Sequence, residues 1–335
     1  MRANPRLNLA LLLVSNTLFA QGFTPPRTEY GYPDFQGNWT NPWLTPLQRP
    51  TTLGDRQSYT ADEVRALLDE VKSMETQRQA PVDPARDAPP KGGLLNQQAD
   101  GNFETMPLVL ARVNGEFRTS LTIDPANGRF PYRVDAEDIY QRWRKQGFGV
   151  YDGPEIRGPL DRCLTPGGPL PLMHSFGGTE GGNPGGDNPV RNIQIVQNKD
   201  YVVMLGEYFS MVRIIPVGRE HGAGQGPKWM GDSIAWYEDD VLKIHSNQFR
   251  PEQSTGFLRH SEDLEVLESF ELTADNELMF SYTVTDPQIY QASFTVEIPL
   301  QRMPRDQKLY EYACHEGNYS MTSILRGARV TEQSQ

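Results

Sequence analysis

The chain has little cysteine and little histidine, and it has no long apolar run after its first twenty residues. Each shortage excludes a class of protein. Only two of its 335 residues are cysteine and five are histidine. Because neither a CxxC pair nor an HExxH sequence occurs, we expect no metal site. After residue 20, no stretch approaches the ~20 apolar residues of a membrane-spanning helix. The GxSxG elbow, the P-loop and a GxGxxG turn after a strand are also missing, so we expect no nucleotide or redox cofactor.

Positive charge is scarce as well. The chain carries 32 lysines and arginines against 43 acidic residues, which gives a net charge of −11. A protein that binds nucleic acid needs a clustered basic face, and one that binds anionic lipid needs basic residues near the surface. The composition therefore predicts neither partner.

The first twenty residues have the three parts of an export signal. Arg2 and Arg6 form a positive start, residues 7–19 are an apolar run, and Ala20 is a small residue at the cut. A run of about 13 residues has the length of a signal core and is too short to span a membrane. We expect cleavage after Ala20 and a periplasmic or secreted protein with no membrane span.

Residues 21–189 are predicted to wrap a larger body. The pattern indicates an extended, proline- and aromatic-rich strap, then a helix over 60–72 that Thr60 and Glu63 open as a capping box. The region also contains a proline-rich mobile loop at 77–101, a strand at 117–123, a helix at 136–145 and a glycine-rich loop at 165–189.

Residues 190–330 are predicted to form the body itself. Runs of β-favouring residues follow one another with short turns, at 192–197, 201–208, 211–217, 232–237, 241–246, 263–272, 277–285 and 292–300. Such a series is typical of an antiparallel meander, and closing it into a barrel removes the exposed edges. The fold class is therefore mainly β, an antiparallel lipocalin-like barrel with a few short helices and a closing segment.

Alternation along the strands selects residues for the barrel interior. It places Phe294, Val296, Ile298 and Leu300 together, and likewise Leu278, Phe280, Tyr282 and Val284, and Tyr201, Val203, Leu205 and Glu207. Glu207 is then a carboxylate among apolar neighbours, and such a group requires a partner. Arg213 is the nearest one along the chain. The pair is predicted either as a structural salt bridge or as a catalytic and anion-holding pair.

Further candidates combine histidine with neighbouring polar and aromatic groups. His245 and Asn247 share one face of a strand, and Asp232 and Trp236 share a face of the strand before it, so a carboxylate could orient His245 as a base. The segment 310–319 adds Tyr312 and His315. We predict Glu207, Arg213, His245 and His315 as catalytic, and Trp236, Asn247, Tyr282 and Tyr312 as substrate-binding. A purely structural role stays open for each.

Cys163 and Cys314 are either a pair or two separate buried thiols. Several strings around them resemble a large family of exported bacterial proteins that are usually called hypothetical. They are the opening PRT with GYPDFQGNWT at 26–40, DPANGRFPY at 124–132, RCL at 162–164, RIIP at 213–216, GDSIAW at 231–236 and YEYACHEGNY at 310–319. The resemblance spans nearly the whole mature chain and implies a Cys163–Cys314 disulfide. Residues 229–300 also resemble lipocalin-like barrels, more weakly. Neither resemblance implies a chemistry.

Three functions fit these observations. The first is an exported enzyme that acts on a small aromatic or polyketide-like molecule by cofactor-independent acid–base chemistry, as a lyase, isomerase or hydrolase. The second is a periplasmic protein that binds a hydrophobic small molecule in the same pocket without chemistry. The third is an envelope interaction protein, with Trp39 and Trp43 as its docking surface.

Overall fold

A computed structural model describes residues 23–79, 109–159, 161–165, 192–222, 226–254 and 258–334. The predicted signal peptide lies outside the described residues, as do most of the predicted mobile loop at 77–101 and nearly all of the predicted glycine-rich loop at 165–189. The strands are β1 Gly37–Thr40, β2 Arg112–Val113, β3 Glu116–Phe117, β4 Thr122–Asp124, β5 Asn192–Gln197, β6 Tyr201–Gly206, β7 Met211–Pro216, β8 Asp232–Glu238, β9 Val241–Asn247, β10 Glu265–Ala274, β11 Glu277–Thr285 and β12 Phe294–Arg302. The helices are α1 Ala61–Gln79, α2 Ile139–Lys145 and α3 Ser320–Gln333.

One antiparallel sheet forms the body, in the order β7-β6-β5-β1-β12-β11-β10-β9-β8, with β4 added beside β12. Its nine-strand path has an odd number of strands, so the first and last strands run parallel where the sheet curls round. In the described residues, one parallel bridge from Val217 to Ala235 joins β7 to β8 there. The prediction of a mainly β, barrel-like fold is confirmed, and the barrel closes only partly, at a seam between β7 and β8.

The strap predicted at the N-terminus contributes a strand of the barrel wall. β1 lies between β5 and β12, the two ends of the predicted meander, and pairs with both of them. The Trp39 indole is fully buried and donates to the Phe35 carbonyl, and the Trp43 indole donates to the Pro299 carbonyl. The prediction that these two tryptophans form a docking surface is therefore wrong, because both belong to the core.

The barrel interior is apolar, and the face assignments of the last two strands are confirmed. Phe280 and Val284 of β11 and Phe294 and Ile298 of β12 are fully buried. The assignment for β6 is wrong, because Val202 and Met204 point into the core whereas Tyr201, Val203 and Leu205 are only half-buried on the outside. Both faces of β6 are apolar, so alternation alone selects neither.

The predicted helices form, with shifted ends. Thr60 and Glu63 make the predicted capping box, with the Thr60 amide donating to the Glu63 carboxylate at 2.8 Å. Helix α1 then runs to Gln79, beyond the predicted end at residue 72. Helix α2 begins later than predicted, at Ile139, where Asp138 caps it by accepting from the Gln141 amide.

The strand predicted at 117–123 forms only at its two ends, in β3 and β4. The chain instead makes a small hairpin from β2 and β3 and only later joins the barrel as β4. Asn114 and Gly115, both with positive φ, form the hairpin turn, and the Asn-Gly pair is the preferred sequence for two such residues. The turn lies just before the predicted strand, so Phe117 pairs back with Arg112 in the hairpin.

Cys163 and Cys314 form a disulfide, as the resemblance implied. The bond joins the wrapping region to the segment after β12, so the two predicted regions are covalently one unit. Among the described residues, no helix is both long enough and apolar enough to cross a membrane.

Candidate functional site

The seam between β7 and β8 opens into a cleft of about 410 Å³. Its apolar wall includes Ile214 and Met230, and its polar wall includes Arg213, Lys228 and Asp232. A volume of this size falls within the range of small-molecule sites, and a mixed apolar and charged lining is typical of them. The cleft lies where the two end strands, β7 and β8, are joined in the described residues by one bridge, from Val217 to Ala235.

A buried ion pair stands at the inner end of this cleft. Arg213 donates from Nη1 to Glu268 Oε1 at 2.9 Å and from Nη2 to Glu268 Oε2 at 2.6 Å, and the two side chains are 3% and 0% exposed. The Arg213 guanidinium also donates to the hydroxyls of Ser233 and Ser246. The predicted Glu207–Arg213 pairing is wrong, since Arg213 points inward from β7 to a carboxylate on β10.

The surroundings of this pair shift two pKa values. Burial raises the pKa of Glu268, and the neighbouring Arg213 charge partly offsets that effect. Burial also raises the pKa of Tyr282, whose phenol lies close enough for the Glu268 charge to add to the shift. The predicted substrate-binding Tyr282 is therefore a neutral phenol in the barrel interior beside a charged pair.

On the outer side of the seam, a chain of hydrogen bonds runs across β8 and β9. Asp232 begins β8, and its Oδ2 accepts from His221 Nδ1 at 2.8 Å. His221 Nε2 contacts His245 Nδ1, also at 2.8 Å, and His245 Nε2 lies 3.6 Å from Glu265. The histidine side chains are 20% and 26% exposed. We call Asp232, His221 and His245 the relay.

Asp232 is ionised and firmly held. Burial alone raises the pKa of Asp232, but bonds from Lys228, from His221 and from the Gly222 amide outweigh burial and lower it overall. Gly231 fixes the entry to β8, because its φ is positive and a Cβ there would lie 2.5 Å from the Phe249 ring. The backbone before Asp232 is thus constrained to one path.

The ionised Asp232 carboxylate determines which ring nitrogen of each histidine in the relay carries a proton. A carboxylate only accepts, so His221 donates from Nδ1 and its Nε2 is left as an acceptor. His245 must then donate from Nδ1, which leaves a lone pair on His245 Nε2 when the ring is neutral. The arrangement therefore presents one basic nitrogen at a partly exposed position.

The structure brings together three of the predicted site residues. Alternation from His245 puts Asn247 on the same outer face of β9, and Trp236 on β8 faces the same way as Asp232. The sequence predicted a carboxylate beside His245. Asp232 does not contact His245 directly, because His221 lies between them and contacts both. His221 comes from the loop between β7 and β8, which has no periodic pattern, and no sequence signal pointed to it.

The other predicted site residues lie apart from the relay. Glu207 follows β6 and accepts from the Asn192 side chain at 2.9 Å. The Tyr312 ring packs on Tyr208 and Phe209 near that turn. His315 is exposed. These residues therefore do not form one constellation with Arg213.

The sequence analysis also did not select Glu268 and Lys228, although the residue pattern of β10 indicates Glu268. Val266, Glu268, Phe270 and Leu272 share one face of β10. A carboxylate on an apolar face is the same pattern that selected Glu207. Within the described ranges, no three histidine, cysteine or acidic side chains are placed to hold a metal ion.

No family model, curated protein or solved structure matches the chain. The resemblance to exported bacterial proteins therefore stays a prediction, and the argument for a function rests on the geometry of the seam.

Proposed function

We propose that this chain is an exported enzyme that moves a proton on a small aromatic or polyketide-like molecule, without a redox cofactor, at the outer lip of the seam. The observation that carries the proposal is the relay of Asp232, His221 and His245, with both imidazole links at 2.8 Å. In a recurring general-base arrangement a carboxylate orients the imidazole of the base, and here Asp232 does so through a second imidazole, that of His221.

In this proposal His245 is the catalytic residue and His221 and Asp232 are positioning residues. His245 Nε2 removes a proton from the substrate, and the resulting imidazolium is stabilised by Glu265 at 3.6 Å and through His221 by Asp232. The same proton returns to another atom of the substrate in an isomerisation, or to the leaving group in an elimination. The base is regenerated in either case.

The surface beside His245 suits an apolar substrate. Ile234 lies opposite His245 in the β8–β9 register and also lines the seam cleft. Trp236 is half-buried on the same face of β8 and offers an aromatic surface. A molecule with its body in the cleft and its reacting end over Ile234 would reach His245.

The test is incubation of the mature protein in D2O with a panel of aromatic, terpenoid and polyketide compounds, followed by mass spectrometry. Conversion, or deuterium gained at carbon, is expected for at least one compound. His245→Gln should reduce the rate about 10²- to 10⁴-fold, the usual contribution of a general base. Asp232→Asn should lower kcat with a smaller change in KM, because it disturbs the orientation of the base while the amide keeps the size and shape of the Asp232 side chain in the cleft wall.

Two matched variants separate the alternatives. His315→Gln removes an exposed histidine outside the relay and should leave the rate unchanged. Glu207→Gln tests the other predicted base. Full activity in His245→Gln together with loss in Glu207→Gln would move the chemistry to the turn after β6.

A binding protein is the second candidate, and one observation favours it. Three of the charged groups that line the cleft are paired within the protein, Arg213 with Glu268 and Lys228 with Asp232. Such a preformed lining binds a ligand without needing to react with it. Recovery of a bound, unchanged compound, with no conversion or deuterium uptake across the panel, would support this function.

A further inference from the structure

A second cleft, of about 750 Å³, lies in the barrel wall away from the seam. Its walls come from β1, β5 and β12, from the residues after β12, and from Leu272 and Asp275 at the end of β10. Arg302, Arg305, Asn38, Gln194 and Asp275 are among the residues that line it. The proposed function does not use this cleft.

Arg302 is a fixed cation in the wall of this cleft. Its guanidinium lies 4.1 Å from the centre of the buried Trp39 ring, and it donates to the backbone carbonyls of Gln36 and Asp275 at 2.9 and 2.8 Å. A Cβ on Gly37 would lie 2.6 Å from Nη1, so the glycine makes room for the group. The guanidinium is therefore held in one position by neutral partners.

No carboxylate of the described chain is in contact with Arg302. Burial lowers its pKa, and the more distant charges of Asp34 and Asp275 only partly offset that effect. Nη2 donates to no described acceptor. A partly buried cation without a counter-charge is costly, and an anion in the cleft would supply one.

Two further features indicate the kind of anion. Arg305 lines the same cleft, is exposed and has no ionic partner among the described residues, so it offers a second guanidinium. Asn38 Oδ1 is buried and accepts no hydrogen bond within the described part of the chain. Gln194 lies directly opposite Asn38 in the β1–β5 register. Buried acceptors need a donor, and a hydroxyl supplies one.

We propose that this cleft is a binding site for a small hydroxylated carboxylate, of the sugar-acid type. The carboxylate lies between Arg302 and Arg305, and a hydroxyl donates to Asn38 Oδ1. Asp275 also lines the cleft and its charge acts on Arg302, so it disfavours a second negative charge and the site selects a monoanion.

The test is isothermal titration of the whole mature protein with three probes. Gluconate carries one carboxylate and several hydroxyls, hexanoate has the charge without the hydroxyls, and sorbitol has the hydroxyls without the charge. Gluconate should bind at least about fivefold more tightly than hexanoate, and sorbitol should not bind. Equal binding of gluconate and hexanoate, or no gluconate binding at millimolar concentrations, would overturn the proposal.

Surface variants make the test independent of folding. Arg305→Gln should weaken gluconate binding at least about fivefold, and Asp275→Asn should tighten it severalfold, because one loses an attraction and the other loses a repulsion. Arg326→Gln on α3 is the matched control and should change nothing. Gluconate affinity that is the same in Arg305→Gln and Asp275→Asn as in the unaltered protein would refute the site, whatever the outcome for the seam.

Discussion

Arg213 of β7 and Glu268 of β10 form a two-point ion pair inside the barrel, with both side chains at least 97% buried, since they are 3% and 0% exposed. The pair joins the last strand on one side of the seam to the third strand on the other side. It therefore bridges the gap that the backbone leaves almost unpaired.

The first prediction concerns this pair. Glu268→Gln should lower the free energy of unfolding by about 3–5 kcal/mol, because it removes the buried carboxylate that two nitrogens of the Arg213 guanidinium bind. The double variant Arg213→Met with Glu268→Leu should cost much less than the sum of the single changes, since no charge is then left buried. Urea denaturation of the unaltered protein, Arg213→Met, Glu268→Leu and the double variant gives the coupling. Additive losses would show that the two groups do not depend on each other.

The second prediction concerns the capping box of α1. Bonds from the Arg56 guanidinium and from the Thr60 amide and hydroxyl lower the pKa of Glu63 to about 2. A lowered carboxyl pKa stabilises the fold above the ordinary value of 4.5, and this contribution is lost as the pH falls through about 2. An NMR titration of the Glu63 carboxyl carbon should have its midpoint near 2. The midpoint should rise in Arg56→Met, and an unchanged midpoint would mean that the guanidinium has no effect.

The third prediction concerns the disulfide. Cys163 and Cys314 are 151 residues apart, and opening a loop of that length should cost about 5 kcal/mol in the chain-entropy model. Cys163→Ser, Cys314→Ser and the double variant should lose the same stability in urea, because each breaks the same bond. A reductant should reproduce that loss in the unaltered protein and change none of the variants. Unequal losses would assign a packing role to one sulfur.

Alternation correctly predicted the buried face of strands whose other face is polar, and it failed for a strand with two apolar faces. On β11, Phe280 and Tyr282 alternate with Ser281 and Thr283, and the predicted face is buried. On β6, both faces are apolar, so alternation could not tell them apart, and the face predicted as interior is the outer one. The consequence was to nominate Glu207 as the interior carboxylate in place of Glu268, whose strand showed the same signal.

The relay was only partly predictable, because its members come from distant and irregular parts of the chain. Asp232 and His245 lie on adjacent strands, so their closeness followed from the predicted meander. His221 lies in a loop whose path depends on the partial closure of the barrel at the seam. That closure in turn depends on β1, which occupies the place where β5 would otherwise meet β12, and no local pattern in residues 37–40 indicates this position.

The last prediction tests whether Asp232 holds the loop between β7 and β8 in place. Its Oδ2 accepts from the Gly222 amide at 3.1 Å and from His221, and its Oδ1 accepts from Lys228 at 2.8 Å. Hydrogen bonds to a charged group contribute about 1.5–3 kcal/mol each. Asp232→Ala should therefore speed hydrogen exchange at the Gly222 amide at least about tenfold, measured by exchange mass spectrometry of a peptide that covers residues 219–222.

The matched control is Asp240→Ala, which removes an exposed carboxylate whose described partner is Arg27. It should leave the exchange of the 219–222 peptide unchanged. If Asp232→Ala also leaves it unchanged, the loop is held by other contacts, and His221 would then keep its place without the carboxylate. In that case Asp232 would no longer be needed to orient the relay, and the assignment of His245 as an oriented base would lose its main support.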